Sequence, residues 1–269
     1  MVTLVTLVTL VTLVTVAAQT KRMMTRRTRL VMAACLTPCA LAAQAANAPA
    51  LTAQRASRNA AFLFAYRAKP EMDAAFAAGY RRHLDWHASK SDSLTWLAWT
   101  ILDGPSAGTF VDGTFGIAFK AFDDRVDPRG DAEDGARNVM AFAVPTARET
   151  LRLRRDLSSA TRLETGRAAR MQKLTRLTGR PGVEAEIEAT LRAMLARGAR
   201  TLDYAVYERV SGGEQPAYAI VVQLDAWEEL EGSRTDPTPA IIRALGTRLA
   251  RAHTETWAYR PDLVYTPRD

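Results

Sequence analysis

Two histidines four residues apart, His83 and His87 in the string His-Leu-Asp-Trp-His, are the residues whose type and spacing could do chemistry. On a helix that spacing puts both imidazoles on one face, where they can share one metal ion or offer an axial ligand to haem. The face is apolar, shared with Met72, Phe76 and Tyr80. The ordinary role for such residues is a hydrogen-bonded core histidine, or a cation favoured at a helix C-terminus. No third ligand stands nearby, and the zincin pattern, which needs Glu after the first His, is absent. No metal centre is therefore expected, and haem is the one cofactor that the pair would admit. Trp96, Trp99 and Tyr66 could line a cavity for an apolar or aromatic molecule, although aromatic residues of this kind more often fill a core. His253 is isolated, and the chain has no Gly-rich phosphate loop, no G-x-S-x-G elbow and no EF-hand loop.

The elements that must position these residues are written twice. Glu149-Thr150 to Arg154, Asp156 and Leu157 recurs as Glu255-Thr256 to Arg260, Asp262 and Leu263, 106 residues later. Thr95 to Trp99 answers Asp203 to Tyr207 at a spacing of 108, and Lys69-Pro70-Glu71 answers Arg180-Pro181-Gly182 at 111. Matches in one order at nearly constant spacing imply duplication of a folding unit. At the spacing of 111, His83 falls on Met194 and His87 on Gly198, so the two copies differ where chemistry is conceivable. The recurring Arg-x-Asp-Leu strings are expected to do structural work, with Arg and Asp two apart on one strand face, each offsetting the other's charge.

In the first copy, 60–161, the pattern predicts strands over 62–66, 94–102, 115–122 and 150–157. It places helices over 72–87 and, cut short by Pro145, over 138–146. The acidic segment 123–138 is expected to be a loop. After a linker at 162–170 the second copy, 171–269, predicts strands over 174–177, 202–210, 217–224 and 256–264. Its helices run from Pro181 to Gly198 and from Pro239 to Ala252. The order β-α-β-β-α-β is the ferredoxin-like unit, α+β in class. Trp96 and Trp99 are three apart on a strand and face opposite sides of the sheet, as do Tyr204 and Tyr207. Both faces must then be buried, and two units packed sheet to sheet within one chain achieve this.

The strand–Pro–helix openings (Phe62 to Phe76; Leu174 to Ile187), the paired aromatics and the turns Phe122-Asp-Asp and Trp227-Glu-Glu resemble the dimeric α+β barrel superfamily, which includes antibiotic-biosynthesis mono-oxygenase-like domains. The resemblance covers roughly residues 60–266 and lies in architecture, not in a catalytic motif. It implies an intrachain barrel. Cofactor-independent oxygenases, haem-degrading enzymes, decarboxylases and plain ligand binders all belong to that superfamily. A functional His83 would line a cavity between the first helix and the sheet, or at the barrel mouth, with Trp96 or Trp99 and Tyr66 near it.

The N-terminus is set apart from the fold. Residues 1–22 hold a Val-Thr-Leu triplet repeat, whose period fits neither strand nor amphipathic helix and suits an extension from a misplaced start. Residues 23–45 carry the three regions of a secretory signal: Arg26, Arg27 and Arg29, then the apolar run Leu30 to Ala42, then Ala43-Gln44-Ala45. Cleavage there removes five of the 36 basic residues and none of the 29 acidic ones, so the net charge of +7 falls to +2. That removes the electrostatic case for nucleic acid or an anionic membrane. It also removes Cys35 and Cys39, both cysteines of the chain, and with them any disulfide. The expectation is a periplasmic or secreted protein with no membrane anchor after cleavage, binding a small apolar or aromatic molecule. The alternatives are an oxygenase, cofactor-free or haem-linked through His83 or His87, and an interaction protein that pairs its sheet edges with a partner.

Overall fold

The structure is a computed structural model that describes residue 55 and residues 57–159, 161–197, 203–230 and 236–268. The triplet repeat, the expected signal and Gly198 lie outside the described residues. Eight strands form one closed barrel. In chain order they are β1 (Ala60–Ala68), β2 (Leu97–Ile101), β3 (Phe110–Ile117), β4 (Ala143–Leu153), β5 (Met171–Gly179), β6 (Tyr204–Ser211), β7 (Ala217–Leu224) and β8 (Leu249–Tyr259). Around the barrel they run β1-β3-β2-β8-β5-β7-β6-β4. Each half contributes four strands in the ferredoxin-like order, and the seams are the antiparallel pairs β4–β6 and β2–β8. Among the described residues every strand is paired on both sides, so no strand edge of the barrel is left open.

The two halves keep one register. Leu63 stands opposite Gly113 and Glu149 in the first, and Leu174 stands opposite Val221 and Glu255 in the second. Alternation along each strand sorts the side chains into three cores. Leu63, Leu97, Trp99, Val111, Tyr207 and Trp257 fill the barrel. The helix-side residues of the first half, Phe62, Trp96 and Phe110 among them, pack beneath helix α1 (Asp73–Ser89). Those of the second half, Tyr204, Val206 and Ile220 among them, pack beneath α4 (Glu184–Ala196) and α5 (Thr238–Leu245). Trp96 and Trp99 therefore face opposite sides of the sheet and are both buried. The matched pair Phe122 and Trp227 does not share one job, since Phe122 is buried and Trp227 is exposed.

The connection between halves is part of the barrel. Arg162–Thr165 forms a 3-10 turn, and Leu163 is fully buried in the barrel core. Gly116, at φ +63°, lets the Glu164 backbone pass where a Cβ would stand 2.3 Å from its carbonyl oxygen.

Several expected boundaries are corrected. The apolar run 115–122 straddles two elements: β3 ends at Ile117 and a short helix α2 (Phe119–Asp123) follows. The segment 123–138 is not a loop. It contains helix α3 (Pro128–Gly135) and runs into a π turn, Ala136–Met140, which takes the place of the expected helix over 138–146. The last strand of each half starts seven residues ahead of expectation, at Ala143 and at Leu249. Both end before the Arg-x-Asp-Leu string, so that Arg–Asp pair closes a 3-10 turn instead of lying on a strand.

Those strings exchange arms between the halves. Leu157, from the first half, is buried in the helix-side core of the second; Leu263, from the second, is buried in that of the first. In each arm the Arg forks onto its own Asp, Arg154 onto Asp156 at 3.0 and 2.9 Å and Arg260 onto Asp262 at 2.8 and 2.9 Å. Each Asp also reaches the opposite half's helix, Asp156 to Arg192 at 3.2 Å and Asp262 to Arg81 at 2.7 Å.

Candidate functional site

Helix α1 buries Phe76, Gly79, Tyr80, Leu84 and His87 along one stripe. Gly79 decides what lies over that stripe. A Cβ there would stand 2.0 Å from the Asn138 carbonyl oxygen, so only glycine lets the 136–140 turn press on α1. The turn holds α3 above the histidines. Helix α3 starts where Asp127 accepts a hydrogen bond from the Gly130 amide at 3.0 Å, with Pro128 in the first turn.

The two histidines then meet three carboxylates. His83 Nδ1 lies 2.8 Å from Asp134 Oδ2, a residue 51 positions along the chain. His87 Nδ1 lies 2.8 Å from Asp92 Oδ2. The other ring nitrogens face one atom: Asp131 Oδ1 is 3.4 Å from His83 Nε2 and 3.7 Å from His87 Nε2. His83, His87 and Asp131 offer three ligand atoms within 4.8 Å of one another. Asp92 is fixed in turn by the Trp96 indole at 2.9 Å and the Leu94 amide at 3.0 Å. Tyr265, on the arm from the second half, donates to the Asp92 carbonyl at 2.7 Å and pairs its backbone with Trp96.

Beside this cluster opens a pocket of about 580 Å3. Phe64, Tyr66 and Trp96 supply aromatic wall; His83, His87, Asp131, Tyr80 and Asp112 supply polar groups. Tyr80 donates to Asp112 Oδ2 at 2.6 Å, and Asp112 Oδ1 is buried with no hydrogen-bond partner among the described residues. Burial pushes the Asp112 carboxyl up to about 7 against the opposing pull of the Tyr80 hydrogen bond. Burial likewise raises the Tyr66 and Tyr80 phenols and lowers the His83 imidazole. Asp92 is held below the usual carboxylate range: burial would raise it, but its bonds to His87 and Trp96 outweigh burial.

Of the residues singled out in the sequence, the structure brings His83, His87, Trp96 and Tyr66 to one pocket between the first helix and the sheet. Trp99 is not among them. It points into the filled barrel, against Trp257 and Phe115. Asp112, Asp131, Asp134 and Asp92 were not singled out. The one signal for Asp131 and Asp134 is the Asp127-Pro128 helix start, which the acidic composition of the segment masks.

A second, smaller pocket of about 320 Å3 sits at a barrel mouth. There the recurring Glu149 and Glu255 meet on Arg176 at 2.9 and 3.0 Å, and Arg209 reaches Glu149 at 2.7 Å. Burial alone would raise the Glu149 carboxyl, but Arg176 and Arg209 outweigh it and hold it low. The recurrence of these glutamates is thus answered by a buried ion-pair network that ties the halves together.

No family model and no curated protein matches the chain. Solved structures do. A monooxygenase-like protein from Fusobacterium nucleatum superposes with a TM-score of 0.56 at 9% identity, over 78% of this chain and 95% of its own. An anthrone oxidase-like protein gives 0.53 at 11% identity, over 76% and 92%. Chlorite dismutase from Candidatus Nitrospira defluvii gives 0.50 at 6% identity, over 77% and 92%. At these identities the likeness is one of fold, and the fold is the dimeric α+β barrel, formed here within one chain.

Proposed function

We propose that the protein binds a small apolar or aromatic molecule in the pocket between α1, α3 and the sheet of its first half. The observation that carries this reading is the composition of the pocket. Aromatic wall from Phe64, Tyr66 and Trp96 stands opposite a few convergent polar groups, the ordinary make-up of a small-molecule site. Titration with anthrone, 2-naphthol and indole, followed by tryptophan fluorescence, tests it. Saturable quenching by at least one of the three is expected, weakened roughly tenfold or more in Tyr66→Leu. No saturable binding by any of them sinks the reading.

One observation favours an oxygenase of the barrel class as a second reading. Asp112 is a buried carboxyl with a near-neutral pKa in the pocket wall, suited to take a proton from an acidic occupant. Oxygen uptake with anthrone, lost in Asp112→Asn, would support it. Haem suits these residues less well. A haem iron on either Nε2 would set the porphyrin across the space that Asp131 fills, so His83 and His87 fit a small ion better.

We also propose that the halves are copies of one unit, supported by their shared register and exchanged arms. Export with cleavage near Ala45 remains our proposal, supported by the order of basic, apolar and small residues over 23–45. N-terminal sequencing of exported protein checks it, and a mature chain still carrying Met24 would refute it. Among the described residues no helix is long and apolar enough to cross a membrane.

A further inference from the structure

We infer that His83 Nε2, His87 Nε2 and Asp131 Oδ1 bind a divalent first-row transition-metal ion. The ion site is the same whichever organic molecule enters the pocket.

Geometry comes first. Ligands at about 2.1 Å from one ion, in tetrahedral or octahedral arrangement, stand roughly 3–3.5 Å from each other. Asp131 Oδ1 is 3.4 and 3.7 Å from the two imidazole nitrogens and all three ligand atoms lie within 4.8 Å of one another, so side-chain rotation alone can close the cluster on an ion.

The hydrogen bonds behind the ligands come second. Asp134 and Asp92 each sit 2.8 Å from an Nδ1, where a carboxylate accepts the ring proton. That fixes the tautomer and leaves each Nε2 with its lone pair toward Asp131, the carboxylate–histidine–metal arrangement of metalloproteins. Two lone pairs aimed at a carboxylate call for positive charge between them, which a proton or a metal ion supplies. Among the described residues no Lys or Arg is paired with Asp131, although Arg125 and Arg148 line the same pocket. Lys90 is 3.0 Å from Asp127, and Arg137 reaches only Asp134, at 3.9 Å.

The donor set then selects the ion. Two imidazoles and one carboxylate suit Zn2+, Fe2+ or Co2+ and disfavour Mg2+ and Ca2+, which prefer oxygen alone. Three protein ligands leave coordination positions open, and all three residues line the aromatic pocket.

The test uses the full chain without a polyhistidine tag, stripped with a chelator and titrated with Co2+ or Zn2+ alone. One equivalent is expected to bind, with visible Co2+ absorption and a raised melting temperature. His83→Met, which installs the residue found at the matching place in the second half, should weaken binding 100-fold or more. Asp131→Asn should do the same, and because Asp131 is partly exposed this variant keeps the fold if His83→Met does not. Asp134→Asn should cost roughly 10- to 100-fold through the ring it orients. Binding of Ca2+ in preference to Zn2+, absence of a saturable first equivalent, or equal affinity in wild type, His83→Met and Asp131→Asn would overturn the assignment. Failure of the aromatic titration leaves this result standing, and failure here leaves that one standing.

Discussion

The two halves of the barrel share register, strand order and arm exchange, yet one lines a pocket with polar groups where the described residues of the other are buried and apolar. In the first half the space beneath the helix is bounded by Phe64, Tyr66, Tyr80, His83, Trp96 and Asp112. The register and helix spacing put Thr175, Leu177, Leu191, Met194, Tyr204 and Ile220 at the matching places of the second. Leu177, Leu191, Tyr204 and Ile220 are wholly buried there, against Ile187 and Ile241. Where the first half has Tyr80, His83 and Asp112 the second has Leu191, Met194 and Ile220, on the same backbone plan. The first helix layer keeps a buried core of its own and holds the pocket beside it.

The sharpest way to break this comparison is to empty the packed side. Leu191→Ala should cost about 2–5 kcal/mol in denaturant unfolding, because a fully buried branched side chain leaves a cavity behind. A loss below about 1 kcal/mol would mean that the second helix layer is not the scaffold it is taken to be.

A smaller effect should separate the halves by pH. Ile220 carries no charge, whereas Asp112 has a pKa near 7 in the fold against 3.8 for the free side chain. A carboxyl raised by folding binds its proton more tightly in the native state, so stability falls as pH rises from about 4 to about 7 and the loss is complete above that. Asp112→Asn keeps an acceptor for Tyr80 and removes this slope. In chelator, the variant should gain on wild type by about 1–3 kcal/mol between pH 4.5 and pH 8. Equal slopes would show that Asp112 is not held in a low-dielectric wall.

The sequence showed the architecture more readily than the site, for physical reasons. Buried strands and α1 announce themselves by period, so the element order, the opposed Trp96 and Trp99, and the histidine pair were all legible. The starts of β4 and β8 were not. Their first residues, such as Thr146 to Arg148 and Arg251, are exposed at the barrel mouth and carry no apolar alternation. The run 115–122 misled because a buried strand and a buried helix turn follow one another without a polar break. Asp131 and Asp134 were invisible for a different reason. What brings them to His83 is the close approach at Gly79, a tertiary event, and an acidic stretch reads as solvated surface when its partners lie 51 residues away.

The smallest expected difference lies in the exchanged arms, where the halves come closest to being alike. Asp156 and Asp262 are both held below the usual carboxylate range by the Arg two residues before them, Asp262 at about 2. A depressed carboxyl contributes stability that is present above the free pKa, near 4, and is lost as pH falls toward 2, so both arms should loosen over that window. Their surroundings are not identical. Arg154 is also gripped by Glu188 on α4, but the matching place on α1 is Ala77, and Arg260 has only a 3.4 Å contact to Thr100 in addition to its Asp. Asp156→Asn leaves Arg154 with a second carboxylate; Asp262→Asn leaves Arg260 with none. Both aspartates are well exposed, so each substitution should cost less than about 1 kcal/mol, with Asp262→Asn the larger. The gap should shrink in high salt and narrow as pH falls through 2, where Asp262 takes up its proton. Paired urea melts at pH 7 and pH 1.5 measure it. Equal losses would show that Glu188 does not share the load on Arg154, and would leave the two arms equivalent in chemistry as well as in place.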